Sequence, residues 1–134
     1  MCIRDSVFPV HPRTRERLAD AGALERLQRH DSLMLTSPLG YLDFLALLQD
    51  AAAVVTDSGG VQKEAYLARV PCLTLRDTTE WTETVELGWN RLVGLDPDAV
   101  LAALATLDRP TAHPELYGGG RAGEAIVREL ERFA

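Results

Sequence analysis

Cysteine is scarce in this sequence, and long apolar runs and basic tracts are missing from it. Two cysteines occur among 134 residues, Cys2 near the start and Cys72 in an apolar run. A disulfide framework needs a denser set, so this usage predicts a reducing, cytoplasmic setting. No apolar run approaches the roughly 20 residues that cross a bilayer. The sequence therefore predicts no transmembrane helix.

The charge balance is acidic, with 14 basic and 20 acidic residues and a formal net charge of −6. Nucleic acids and anionic membranes bind surfaces on which basic residues cluster. The arginines within residues 13–17 alternate with other residue types, which is typical of a solvated helix face. We therefore expect neither a nucleic-acid nor a membrane partner.

Length and composition predict one domain with a core of its own, since 46% of the residues are hydrophobic. Residues 1–6 are too short and too polar for a signal peptide, and they do not fit the pattern that follows. We interpret residues 1–6 as a non-native leader. Residues 7–134 then form the domain.

The central feature is the stretch Val54–Glu64, in which an apolar strand turns over Ser58, Gly59 and Gly60 into a helix. The first N–H groups of a helix have no internal partner and lie at the positive end of its dipole, so they attract anions. Ser58 can either cap the helix or donate to a phosphate oxygen. The two glycines let a ligand approach the backbone closely.

Glu64 follows Gly60 by four residues, so it lies on the same helix face one turn deeper. A carboxylate at that position could accept hydrogen bonds from the hydroxyls of a sugar. On these residues alone, an ordinary turn with Ser58 as the cap and Glu64 in solvent is slightly favoured over the ligand site.

Apolar runs and helical spacing alternate along the rest of the chain. Strands are predicted over residues 7–10, 32–36, 51–56, 71–75 and 91–94, and helices over residues 14–27, 41–48, 60–69, 82–87, 99–107 and 121–133. This order predicts an α/β fold with a parallel sheet and helices on both faces. The strand over 51–56 and the helix over 41–48 are apolar nearly throughout, so both should be buried.

Ligands of parallel sheets bind at the carboxyl ends of the strands. Four polar segments fall at predicted strand ends, namely His11 and residues 37–40, 57–60 and 76–80. Their shared edge strengthens the prediction of a ligand site at Ser58.

Seven stretches carry a resemblance to a known family, in the family's order and spacing. They are Phe8–Pro12, Pro38–Phe44, Thr56–Glu64, Leu75–Glu80, Val85–Glu86 with Gly88, Leu92–Gly94 and Tyr117–Gly120. Through them, residues 7–127 resemble the C-terminal half of the non-hydrolysing UDP-N-acetylglucosamine 2-epimerases. The resemblance implies the two-domain glycosyltransferase-B architecture, of which this chain would be the C-terminal, Rossmann-like, UDP-binding half.

The resemblance also implies a role for several residues, with no cofactor and no metal. Ser58, Gly59 and Gly60 match the positions that hold the UDP phosphates, and Glu64 matches the carboxylate on the ribose. The positions that match those around the uracil and the nucleotide are Leu39, Phe44 and His11. Phe44 could equally be a core residue of an apolar helix, and the motif spacing is what favours the ligand role.

One departure from the family concerns the nucleotide's charge. Many bacterial members carry Arg-Pro after Asp-Thr-Thr-Glu, and that arginine contacts the nucleotide; this chain has Trp81-Thr82. Arg76 is the cation that remains nearby, so it is predicted to share in neutralising the phosphates. A structural ion pair of Arg76 with Asp77 is an equal alternative.

The family's reaction removes the C2 proton, eliminates UDP to give a 2-acetamidoglucal and adds UDP back with the opposite configuration. The acid and base groups belong mostly to the N-terminal domain, so we assign no catalytic residue here and expect the chain alone to be inactive. The resemblance further implies that the last helix packs on that domain. Ile126, Leu130 and Phe133 should then form an exposed apolar patch that makes the chain prone to aggregate.

Other functions stay open. A glycosyltransferase-B sugar transferase uses the same nucleotide-diphosphate site, although the run from Arg76 to Glu80 favours the epimerase. A hydrolysing epimerase and a stand-alone nucleotide-sugar-binding module are further candidates. A homodimer is the assembly considered for the intact enzyme, and its partners would be a UDP-sugar and the N-terminal domain.

Overall fold

A computed structural model describes residues 6–133 of the chain. Strands and helices alternate along it: β1 (Ser6–Pro9), α1 (Pro12–Asp20), α2 (Leu24–Gln28), β2 (Leu33–Thr36), α3 (Tyr41–Gln49), β3 (Val54–Thr56), α4 (Gly59–Leu67), β4 (Cys72–Thr74), α5 (Thr82–Glu86), β5 (Asn90–Leu92), α6 (Pro97–Ala105) and α7 (Ala122–Glu131). The chain divides into two compact units, Met1–Leu47 and Leu48–Ala134.

The first unit contains the parallel pair β1–β2, in which Ser6 lies opposite Leu33 and Pro9 opposite Thr36. Helices α1 and α2 make the crossover between these two strands. Val10, directly after β1, is 1% exposed. His11 is the N-cap of α1, and Pro12 suits the first turn because proline needs no hydrogen-bond acceptor there.

The second unit contains the parallel sheet β3–β4–β5, with Leu73 opposite both Val55 and Arg91. The central strand β4 is buried at all three residues, as expected for a parallel strand with a neighbour on each side. Helix α4 buries Gln62, Ala65 and Tyr66.

An aromatic cluster fixes the loop before α7 to this core. The Tyr66 ring stacks on His113 at a centroid distance of 4.3 Å and meets the edge of Trp89 at 6.2 Å. The Trp89 indole donates to the carbonyl of Ala112 at 2.8 Å, and the Tyr66 hydroxyl donates to the carbonyl of Pro114. Buried aromatic donors thus find partners in the backbone of the loop, which holds it against α4.

The prediction of a parallel α/β class is confirmed, but the strands form two ladders within the described residues, β1–β2 and β3–β4–β5, instead of one sheet. The burial predicted for the strand over residues 51–56 is wrong. It is shorter, at Val54–Thr56, and Val55 is 43% exposed. The physical reason is that β3 pairs on one side only, with β4, among the strands described for its unit, and apolar composition does not reveal strand order.

The predicted burial of the third helix is also wrong, because Tyr41 and Leu42 of α3 are 63% and 78% exposed. Apolar character shows what a helix could bury, whereas burial requires neighbours on every face. The predicted exposure of the apolar side chains of the last helix is confirmed, since Ile126, Leu130 and Phe133 are 59%, 65% and 88% exposed. No helix within residues 6–133 is long and apolar enough to cross a membrane.

The cap of α6 supplies a test of the local fold. Asp96 accepts a hydrogen bond from the backbone N–H of Asp98 at 3.0 Å, and Pro97 follows it as the first helical residue. We expect Asp96→Ala to lower the free energy of unfolding by about 1 kcal/mol, the usual cost of losing a cap. Urea unfolding followed by circular dichroism measures it. Asp96→Asn keeps an acceptor and should retain the stability; equal losses in the two variants would contradict the capping role.

Candidate functional site

The turn between β3 and α4 has the geometry that its sequence predicted. Ser58 is the N-cap of α4 with extended backbone angles, φ −80° and ψ 125°, and its own N–H donates to Thr56 Oγ1 at 3.1 Å. Its hydroxyl makes no capping hydrogen bond. The hydroxyl of Ser58 is therefore not used as a cap. It is exposed and can donate a hydrogen bond to a ligand.

The first backbone donors of α4 point out of the same helix end. The N–H of Gln62 bonds to the carbonyl of Ser58 at 3.3 Å, so the N–H groups of Gly59, Gly60 and Val61 precede the first bond of the helix. Glu64 lies on this helix and is half-buried. Three donors, a hydroxyl and a carboxylate one turn deeper together form a site suited to an anion that carries a sugar.

A second acidic side chain approaches this helix end. A Cβ built on Gly59 would lie 2.9 Å from Glu80 Oε1 and 3.6 Å from Trp81 Nε1. The pKa of Glu80 is lowered, first by its own backbone N–H and further by the charge of Arg76. The carboxylate of Glu80 therefore lies beside the end of α4 that would receive a phosphate, where the helix dipole favours negative charge.

Arg76 pairs with this same glutamate. Its Nη1 lies 3.2 Å from Glu80 Oε2, and both side chains are partly exposed. The alternative pairing of Arg76 with Asp77 is wrong, because Asp77 Oδ1 is directed at Gly94, 3.1 Å from the position of a Cβ there. Arg76 is thus a cation at the end of β4 whose partner is an exposed carboxylate, and an exposed pair of this kind exchanges partners at little cost.

Trp81 belongs to an aromatic cluster, in which its ring and that of Tyr117 meet edge-on at a centroid distance of 6.0 Å. Lys63 Nζ lies 4.7 Å from the centre of the Trp81 ring and 4.4 Å from that of Tyr117. Tyr117 donates to Glu83 at 2.8 Å, and its pKa is raised, mainly by burial and also by this hydrogen bond. A lysine held over two rings therefore supplies positive charge on α4, next to Trp81.

Three of the predicted site residues belong to the first unit. His11 follows β1, is exposed, and its Nδ1 accepts from the N–H of Arg13 at 3.3 Å, which leaves Nε2 to carry the proton when the ring is neutral. Leu39, in the loop before α3, is 36% exposed. Phe44, in α3, is half-buried. The second unit holds the other five, Ser58, Gly59, Gly60, Glu64 and Arg76.

An open groove of about 710 Å³ lies at the carboxyl end of β5. Its lining includes Arg76, Asp77, Gly94 and Asp96, together with small side chains of α6. None of the residues Ser58–Gly60 lines it. Among the eight predicted site residues, Arg76 alone lines this groove. It also lies at the end of β4, where it pairs with Glu80.

Two contributions to this region were missed by the sequence analysis. Glu80 was matched to the family only as part of a motif, and the loop that contains it carried no local signal for its ion pair with Arg76. Gln62 was assigned no role, yet its side chain is completely buried behind the turn. A glutamine between a glycine turn and a glutamate carries no local signal for burial, because its partners come from other strands and loops.

A parallel α/β unit with free backbone donors at a strand–glycine–helix turn has the features of α/β proteins that bind phosphate-bearing ligands at strand ends. The family model described as UDP-N-acetylglucosamine 2-epimerase matches residues 4–131. The chain belongs to this family.

Individual relatives agree with the family assignment. A UDP-N-acetylglucosamine 2-epimerase homolog of Methanococcus maripaludis is 44% identical over 95% of this chain and 36% of the relative. A UDP-2,3-diacetamido-2,3-dideoxy-D-glucuronate 2-epimerase of Pseudomonas aeruginosa is 43% identical over 95% of this chain and 35% of its own length.

A solved structure is equally similar. The Methanocaldococcus jannaschii UDP-GlcNAc 2-epimerase in complex with UDP-GlcNAc and UDP superposes with a TM-score of 0.85 at 42% identity, over 94% of this chain and 35% of that one. The chain therefore spans about a third of the length of the relatives it matches.

The two glycines of the turn supply a matched pair of variants. A Cβ at Gly59 would meet Glu80 Oε1 at 2.9 Å, whereas at Gly60 the nearest atom is Ser58 Oγ at 3.8 Å. We expect Gly59→Ala to displace the flexible Glu80 carboxylate from its backbone N–H, so that the pKa of Glu80 rises towards its ordinary value. Gly60→Ala should leave that pKa low. Carboxyl-detected NMR titration measures both.

Stability should change by less than about 1 kcal/mol in either glycine variant, because alanine is tolerated in a first helical turn. Chemical unfolding of the two variants is the control for this prediction. An unchanged Glu80 pKa in Gly59→Ala would show that the carboxylate does not lie against Gly59.

Proposed function

We propose that this chain is the UDP-binding part of an enzyme that interconverts UDP-N-acetylglucosamine and UDP-N-acetylmannosamine by eliminating UDP and adding it back. The observation that carries the proposal is the exposed turn of Ser58, Gly59 and Gly60, whose hydroxyl and backbone donors are free for a diphosphate. The family match and the similarity to a 2-epimerase in complex with UDP-GlcNAc and UDP support the same ligand.

In the second unit the proposed roles follow the chemistry of each group. The turn Ser58–Gly60 holds the diphosphate through N–H groups and a hydroxyl, which are the donors a phosphate needs. Glu64, half-buried on α4, accepts hydrogen bonds from the ribose. When the nucleotide binds, the Arg76 guanidinium exchanges its partner Glu80 for the phosphates, because the carboxylate and the phosphates compete for the same hydrogen-bond donors.

In the first unit the proposed contacts are with the base and its surroundings. Leu39 offers its backbone to the uracil, and Phe44 packs next to it. His11 lies near the nucleotide with Nε2 as the ring atom not used by its capping bond. These roles rest on the position of each residue in the family's motifs and on exposure or partial burial within its unit.

Chemistry at C2 of the sugar is assigned to no residue of this chain. The relatives are nearly three times as long, since the chain covers 34–36% of them, which supports an N-terminal domain that contains the acid and base groups. The exposed apolar face of α7, with Ile126, Leu130 and Phe133, is consistent with packing on such a domain. A homodimer and a cytoplasmic setting belong to the same proposal, and the free, buried thiol of Cys72 agrees with the latter.

The nucleotide is better supported than the sugar. Relatives of almost equal identity act, by their names, on UDP-N-acetylglucosamine and on UDP-2,3-diacetamido-2,3-dideoxy-D-glucuronate. Both sugars carry an acetamido group at C2, so the coarser substrate class is a UDP-2-acetamido sugar. A nucleotide-sugar-binding module without chemistry is the second candidate, favoured by the presence of binding groups without an assigned acid and base.

UDP binding by the 134-residue chain tests the proposal directly. We expect weak but measurable binding of UDP, which Ser58→Ala weakens about tenfold by removing a donor to a charged oxygen. Titrations followed by ¹H–¹⁵N NMR measure it, with the amides of Gly59 and Gly60 as reporters. Absence of any UDP binding by the unsubstituted chain would refute the proposal.

Glu64 is tested by the ribose that it should contact. Wild type is expected to bind UDP more tightly than 2′,3′-dideoxy-UDP, and Glu64→Ala should bind the two equally because the acceptor for the hydroxyls is gone. Glu86→Ala, which removes an exposed carboxylate of α5, is the matched control. A preference for UDP that survives in Glu64→Ala would reassign the ribose contact.

The division of chemistry gives a separate prediction. We expect the chain alone to produce no UDP-N-acetylmannosamine from UDP-N-acetylglucosamine, because it holds the leaving group and not the acid and base at C2. Product analysis by chromatography, with a full-length relative as positive control, measures this. Turnover comparable to the full-length relative would place catalytic groups within this chain.

A further inference from the structure

A buried polar cluster lies directly behind the Ser58 turn in the second unit. We call it the Gln62 network, and it consists of Gln62, Thr74, Thr79, Thr84 and Asn90. Gln62, Thr74 and Thr84 are 0% exposed and Asn90 is 3% exposed. Polar side chains are costly to bury unless each finds a partner, so a cluster of this size calls for a physical explanation.

Gln62 connects three segments of the chain through one side-chain amide. Its Nε2 donates to the carbonyl of Ser58 at 3.3 Å, and its Oε1 accepts from Thr79 Oγ1 at 2.5 Å and from Asn90 Nδ2 at 3.0 Å. The start of α4, the loop between β4 and α5, and the strand β5 are thereby joined at one point.

The remaining bonds extend this connection to the loop that carries Glu80. Asn90 also donates to Thr84 Oγ1 at 3.2 Å, and Thr84 in turn donates to the carbonyl of Trp81 at 2.6 Å. The N–H of Trp81 donates to Thr79 Oγ1 at 3.1 Å. Side chains of the network therefore fix residues 79–81 in place, because Thr79 binds the N–H of Trp81 and Thr84 binds its carbonyl.

Donors and acceptors of the network are mutually consistent in only one orientation of the glutamine amide. Thr79 Oγ1 donates its single proton to Gln62 Oε1 and accepts from the backbone, so its capacity is used in both directions. A reversed Gln62 amide would direct its NH₂ group at the NH₂ group of Asn90. The network therefore selects a single geometry for the turn and the loop, as satisfied buried networks do.

We propose that Gln62 is a positioning residue for the diphosphate site, with Thr79 as its partner in the opposite loop. It sets the Ser58 turn, which offers the donors, relative to the loop that carries Glu80 beside Gly59 and Trp81 against Lys63. An apolar side chain of similar volume would fill the same space, but it would take an acceptor from Thr79 and Asn90 and leave the turn and the loop free to move apart. This inference rests on the proposed binding of UDP.

The experiment uses the full 134-residue chain and UDP titrations by ¹H–¹⁵N NMR, at a temperature where each variant is folded by circular dichroism. We expect Gln62→Leu and Thr79→Val to weaken UDP binding about tenfold and to diminish the response of the Gly59 and Gly60 amides. Thr79→Ser keeps the hydroxyl and should restore the affinity. If Gln62→Leu does not fold, the comparison of Thr79→Val with Thr79→Ser decides.

Val70→Ala is the matched control for a loss of stability alone. Val70 is 1% exposed and lies outside the network, so truncation lowers stability without touching the turn. It should bind UDP as the unsubstituted chain does. Unchanged UDP affinity in Thr79→Val, or an equal loss in Val70→Ala, would overturn the positioning role while the proposed function stands. No UDP binding by the unsubstituted chain would refute the proposed function and this inference with it.

Discussion

The second unit depends on the parallel pairing of β4 with a strand on each side. Because β4 is paired on both edges and covered by α4, its three residues are inaccessible to solvent. This pairing aligns the ends of β3, β4 and β5, and the loops that follow the strands leave from one edge. The Ser58 turn and the segment from Arg76 to Trp81 are neighbours for this reason, although they lie about twenty residues apart in the chain.

Hydrogen bonds between buried polar side chains then fix the positions of the elements that strand pairing brings together. The side chain of Thr74 on β4 donates to Asn90 on β5, and Asn90 connects to Gln62 on α4. Helices α4 and α5 and strands β4 and β5 thus each contribute one side chain to a satisfied set of hydrogen bonds. Such a set contributes little net stability compared with apolar packing, but it penalises every arrangement that leaves a member without a partner. A core of this kind therefore restricts the Ser58 turn to a single geometry.

Charge around the turn is arranged so that an anion can enter without leaving an ion buried and unpaired. Glu80 occupies the side of Gly59 and is paired with Arg76, and both side chains are partly exposed. Lys63 is stabilised by the faces of two rings. Both cations therefore have partners that are weak enough to be exchanged for a phosphate, because exposed ion pairs and cation–π contacts each contribute only modestly to stability.

Local chemistry in the sequence was enough to determine the α/β class and the glycine turn before α4, since these follow from periodicity and backbone preferences over a few residues. The motifs also identified the family. Only the tertiary structure decided that β3 pairs with β4 alone among the described strands of its unit, that Arg76 pairs with Glu80 and not Asp77, and that Gln62 is buried behind the turn. The physical reason is that strand order and burial depend on residues that are distant along the chain, whereas the choice of Arg76 between Asp77 and Glu80 depends on how their loop folds. No local pattern records either outcome.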